Sequence, residues 1–113
     1  MKHIPRSAVE IVQNSDSCEV TEFGGIESID GADVAIDGRY PVTNYALNEK
    51  SDMVIRVLSG AGRITTRDIE VMLEAGDVAF VGKGEAYYFE GQNLKLFMAC
   101  TSAWSSEQYS GVE

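Results

Sequence analysis

The apolar residues of this chain come in short runs that alternate with polar ones, and nearly every run stops at a glycine or an Asp-Gly or Asn-bearing break. Alternation with a period of two marks a half-buried strand, and glycine-bearing breaks between such runs mark tight connections. No stretch keeps a helical period. Ile11-Val12-Gln13 is at best one short turn or a strand. The expected class is therefore all-β, an antiparallel barrel or sandwich. Residues 17–23 form an early strand closed by Gly24-Gly25, and residues 33–36 a second, ended by an Asp37-Gly38 turn. Residues 53–58, MVIRVL, are β-branched and apolar on both faces, as in a core strand. Ser59 to Gly62 turns that strand into a hairpin. In the hairpin's second arm Ile69, Val71 and Leu73 share one face, with Asp68, Glu70 and Met72 on the other. Further strands follow at 78–81, 86–89 and 94–99, separated by residues 82–85 and by Gly91-Gln92-Asn93. The polar tail, 102–113, is expected to be irregular.

With 113 residues the chain suits one domain. Its formal charge of −9 argues against nucleic acid and against anionic membranes, both of which need a basic surface. No apolar run is long enough to span a bilayer, and the N-terminus lacks a secretory pattern, so the expected location is the cytoplasm. In that reducing compartment Cys18 and Cys100 are expected to be thiols. The only histidine is His3. A site built on two or more histidines is excluded by composition, which removes the usual zinc, copper and iron centres and a histidine proton relay.

Two spaced patterns resemble those of the small single-domain cupins, over about residues 38–101. In the second pattern Gly76 and Gly84 hold the glycine places. Gly82 stands where cupins have proline, Tyr87 where they have a metal-binding histidine, and Gly91 where they have asparagine. In the first pattern Gly60 is the closing glycine and Gly38 the opening one. The glutamate place then falls on Met53, and the histidine pair on Ala46 and Asn48 or on Leu47 and Glu49. Gly38-Arg39-Tyr40-Pro41, Asn48-Glu49, Tyr87-Tyr88 and the run from Cys100 to Gln108 are similar to a cupin subset of unsettled biochemical role. The resemblance implies a single RmlC-like cupin domain over residues 1–113, a β-barrel or double-stranded jelly roll without the metal-binding histidines. No cofactor and no metal are expected. It also implies a homodimer, and strands apolar on both faces would welcome that cover.

In this register Met53, Ile55, Tyr87, Phe89, Met98 and Cys100 face an apolar cup that suits a small organic ligand, unless they simply fill a small barrel. Asn48 and Glu49 lie at its mouth. Arg39 can hold a ligand carboxylate or form an internal ion pair, and Trp104 can cap the barrel mouth or pack at a dimer interface. Three functions are open: binding of a small molecule, a metal-independent isomerase, epimerase or lyase with Glu49 and Tyr87 as base and acid, and a filled interaction module. Glu49 can equally be a solvated residue beside a turn.

Overall fold

Three strands are much longer than the alternating runs suggest. In the computed structural model, which describes residues 1–101 and 109–113, the chain forms a 3-10 turn at Arg6–Ala8 and nine strands. These are β1 (Glu10–Ser15), β2 (Cys18–Ile26), β3 (Ile29–Tyr40), β4 (Tyr45–Asn48), β5 (Met53–Thr66), β6 (Glu70–Glu74), β7 (Val78–Val81), β8 (Tyr87–Thr101) and β9 (Tyr109–Val112). Every pairing among them is antiparallel. The sheet curls into a half-barrel around β8. One edge of β8 pairs with β3 from Ile29↔Thr101 to Tyr40↔Phe89, and the other with β5 from Met53↔Cys100 to Thr66↔Tyr87. β1 and β2 extend the sheet beyond β3. β6 and β7 follow one another along the free edge of β5, and β4 meets β8 at Ala46↔Tyr87.

The glycines expected to turn the chain instead bend strands that continue. Asp37-Gly38, Ser59–Gly62 and Gly91–Asn93 all lie inside strands, with register shifts at Ile36/Gly38, Val57/Ser59 and Ser59/Ala61. A bulge uses the same freedom that a turn does: positive φ and room for another backbone. Gly60 has φ +84°, and a Cβ there would lie 2.0 Å from the carbonyl oxygen of Asn93. Gly38, Gly91 and Gly62 are in register across β3, β8 and β5, so the three long strands bend along one line. The bend also changes which positions of β8 point inward. Before it these are Tyr87 and Phe89, and after it Leu94, Leu96 and Cys100.

Of the two forms open to residues 11–13, a short turn or a strand, the structure has the strand, β1. One other expectation changes. The end of the tail is not irregular: Tyr45↔Val112 through Asn48↔Tyr109 pair β4 with β9. One core cluster joins the inward side chains, with Ile36, Ile55, Val57, Phe89, Leu94 and Leu96 at or below 1 % exposure.

Candidate functional site

At one end of this apolar interior the buried side chains become polar. β4 turns Ala46 and Asn48 inward, β5 begins with Met53, and β8 begins with Tyr87. Ala46 stands opposite Tyr87, and Met53 opposite Cys100 and Val81. Asn48 is 6 % exposed, Ser51 1 % and Tyr87 4 %. Each of these three is held by interactions within the chain. The Tyr87 ring meets Phe89 edge to face with centroids 5.6 Å apart, in the favoured aromatic geometry.

The two loops at this end are tied together. Gly84 N–H donates to the Asn48 carbonyl at 2.7 Å, and Lys83 N–H to Asp52 Oδ1 at 2.9 Å. Glu85 Oε2 accepts from Gly82 N–H at 3.1 Å. Asp52 and Thr101 are linked through Asp52 N–H to Thr101 Oγ1 at 3.1 Å and Thr101 N–H to the Asp52 carbonyl at 2.9 Å. The frame around Tyr87 is thus fixed by hydrogen bonds from backbone amides to backbone and side-chain oxygens.

Among the described residues no charged side chain is buried in the interior. The buried polar or charged residues are Asn48 and Ser51. Burial pushes the Cys18 thiol up to about 12, and burial followed by the nearby Asp30 pushes Cys100 up to about 11. A thiol so raised stays protonated near neutrality and is a poor nucleophile and a poor metal ligand.

The sequence candidates divide by side of the sheet. Asn48, Met53, Ile55, Tyr87, Phe89 and Cys100 are all buried on the inner face, and Met98 half-buried beside them. Glu49 is exposed. It follows inward-pointing Asn48, so the alternation of side chains carries it to the other side. Arg39 lies on the outer face, in register with Glu90, while its neighbour Tyr40 shares the inner face with Phe89. Its guanidinium sits 4.1 Å over the Tyr88 ring, and Nη2 donates to the Asn44 carbonyl at 2.8 Å. The expected internal ion pair is absent among the described residues. The ion pairs there belong to Arg63, which bridges Glu70 at 3.0 Å and Glu90 at 2.6 Å. Trp104 lies outside the described residues. Ser51 was missed, since a serine in a polar turn carries no periodic signal.

Two cavities are lined by residues other than those of the Tyr87 end. A groove of about 720 Å³ crosses the outer face between Arg39, Glu90, Arg63 and Gln92, and a smaller one of about 210 Å³ opens beside Cys18 and Lys95.

A nine-stranded antiparallel sheet curled around β8, with Tyr87 and Met53 facing inward, defines a cupin β-barrel. Solved structures agree. Pac13 from Streptomyces, solved with uridine and described as a unique nucleoside dehydratase, superposes with a TM-score of 0.87 at 18 % identity, over 100 % of this chain and 91 % of that one. An RmlC-like cupin from Shewanella frigidimarina gives 0.74 at 14 % identity over 95 % and 96 %. KdgF from Halomonas gives 0.76 at 9 % over 91 % and 96 %. No protein-family model matches the chain, and no curated protein matches it by sequence. At these identities the likeness is one of fold.

The cupin resemblance in the sequence sets Met53 and Tyr87 at places where a metal's ligands would stand. These residues do not fit a metal. A thioether, a phenol, an amide and a protonated thiol make a weak donor set. Among the described residues no group of three or more histidine, cysteine, aspartate or glutamate side chains is placed to hold an ion.

Proposed function

We propose that this protein is a metal-independent cupin that binds a small, uncharged organic molecule at the Tyr87 end of the barrel. One observation carries the reading: Asn48, Ser51 and Tyr87 are gathered, buried and neutral, at the end of an otherwise apolar interior. Such an arrangement suits a ring with a few hydrogen-bonding groups, oriented by the amide and hydroxyls and packed against Met53, Ile55, Phe89 and Met98. Cys100 borders the site as an inert wall. A phosphate or carboxylate would enter without a counter-charge, at a cost of several kcal/mol. The fold likeness to Pac13, whose structures contain uridine, supports nucleosides as the first compounds to try.

The same likeness favours a second reading, removal of water from such a ligand. In that reading Tyr87 moves the proton, because Glu49 stands in solvent. Variants of Pac13 with tyrosine changed to phenylalanine, or histidine to glutamine, were solved with uridine. Of those two side-chain types, this interior contains only tyrosine among its described residues, His3 being exposed near the N-terminus.

Thermal-shift titration with neutral nucleosides tests the binding reading, since a ligand of the folded state stabilises it by mass action. Tyr87→Phe is expected to weaken binding by about tenfold, the worth of one good buried hydrogen bond. Unchanged affinity in that variant would place the ligand elsewhere. A turnover assay on any compound that binds separates the two readings.

A further inference from the structure

The inner face of the sheet opens toward β3, and a carboxylate stands at the opening. One inner row runs Met53, Cys100 and Asp30 across β5, β8 and β3, in register at each step. The row beside it is Ile55, Met98 and Ala32 on the same strands. Along both rows burial falls away from β5: Met53 and Ile55 are buried, whereas Asp30, Met98 and Ala32 are half-buried. Paired residues of neighbouring strands share a face, so Asp30 lies on the side of Cys100 and Met53. Its neighbour Gly31 lies on the opposite side, where a Cβ would meet the Phe97 ring. The Asp30 charge acts on the Cys100 thiol, as a carboxylate on the same face must. With strands spaced roughly 4.8 Å apart, the Asp30 backbone is roughly 10 Å from that of Met53. Asp30 is engaged within the chain. A carboxylate offers roughly four acceptor sites, however, and this half-buried one still meets solvent.

We propose that Asp30 selects the ligand of the Tyr87 site, a step that rests on the binding reading above: its carboxylate accepts hydrogen bonds from two adjacent hydroxyls of an uncharged ligand and keeps anionic ligands out. The ligand's class is then a neutral ring bearing a vicinal diol. Asn48, Ser51 and Tyr87 can each donate and accept, so they suit many partners. An ionised carboxylate only accepts, and it therefore demands donors from the ligand. Its two oxygens lie side by side and match two neighbouring O–H groups, and bonds to a charged acceptor are the stronger kind. Toward an anion the same charge is repulsive. Met53, Ile55 and Met98 line the rows around it with apolar groups, which screen that repulsion poorly. Glu22, in register with Ala32, adds a second negative charge at the exposed rim of this face. Lys2 reaches the same corner, where its Nζ donates to the Gly25 carbonyl at 2.7 Å, but it is exposed and its charge is screened by solvent.

The test compares a ribonucleoside, its 2′,3′-dideoxy analogue and its 5′-monophosphate by calorimetric titration of the full chain. The wild type is expected to bind the ribonucleoside at least about tenfold more tightly than either of the others. Asp30→Asn weakens the ribonucleoside by about tenfold, leaves the dideoxy analogue within about threefold, and narrows the gap to the monophosphate. Tyr87→Phe weakens the ribonucleoside and leaves that gap in place. A second readout needs no ligand. Cys100 is alkylated with neutral iodoacetamide and with anionic iodoacetate, and its modification is followed by peptide mass spectrometry. The ratio of the neutral to the anionic rate is expected to fall at least about threefold in Asp30→Asn and to hold in Asp30→Glu, which keeps the charge. Circular dichroism confirms that each variant is folded. An alkylation ratio unchanged in Asp30→Asn overturns the proposal. So does an Asp30→Asn variant that still prefers the ribonucleoside over its dideoxy analogue as the wild type does. If the wild type binds no neutral nucleoside, the binding reading and the diol contact fall together, and the alkylation ratio still decides whether Asp30 keeps anions out.

Discussion

Tyr87 and Phe89 lie on the same face of β8, yet their substitutions are expected to separate function from stability. Phe89 is fully buried in the apolar cluster. Phe89→Ala should cost about 3–5 kcal/mol in a denaturant titration, the usual cost of a large core cavity. Tyr87→Phe keeps the ring and its edge contact with Phe89 and removes only the hydroxyl. It should cost about 1 kcal/mol of stability and act chiefly on ligand binding. Gly60 is the third test. Alanine there meets both a positive φ and the Asn93 carbonyl, so Gly60→Ala should destabilise by about 2 kcal/mol or more. At this scale much of the site was legible. Period-two alternation from Met53 and Tyr87 selects the inner side chains that the structure buries. The same rule, applied to Asn48 and to Tyr40, turns Glu49 and Arg39 away, and the sequence reading did not carry it across those strand ends.

Strand ends were the harder problem. Gly38, Gly60, Gly62 and Gly91 read as turns because the residue type that permits a turn also permits a bulge, and only the partner strand decides between them. Here the partners are distant in sequence, so no local pattern announces that β3, β5 and β8 continue through the bend. β9 was illegible for a similar reason. Its sequence, YSGV, is short and polar, and it becomes a strand through pairing with β4. That pairing gives a prediction. Removing residues 109–113 deprives β4 of one neighbour and removes the contact of Arg67 with the Glu113 carbonyl. The truncated chain should melt about 5 °C lower or more, for a loss of at least about 1 kcal/mol. It should also bind ligand more weakly, because β4 carries Asn48.

The whole molecule combines a formal charge of −9 with an interior whose buried polar residues, Asn48 and Ser51, are uncharged. Its acids are therefore mostly a property of the surface, and the pH response that can be assigned to the interior comes from its thiols. Folding raises Cys18 from 9.0 to about 12 and Cys100 from 9.0 to about 11. Both are neutral in either state below the unfolded value. Above it the unfolded chain ionises first, so stability should fall as pH rises from about 9 toward 11 and 12. Replacing both cysteines with alanine should flatten that decline, as chemical denaturation at several alkaline pH values would register. The barrel and its inward residues were foreseeable from alternation and the cupin resemblance, whereas the polar end formed by Asn48, Ser51 and Tyr87 was not, because residues from separate strands and a loop meet there only on folding. The most direct test is calorimetric titration of the protein with neutral nucleosides and with their 5′-monophosphates. The account predicts heat of binding with at least one neutral compound, weakened in Tyr87→Phe, and markedly weaker binding of the phosphorylated form. Binding confined to the phosphorylated compounds, equal affinity for both forms, or no binding by any neutral compound would contradict it.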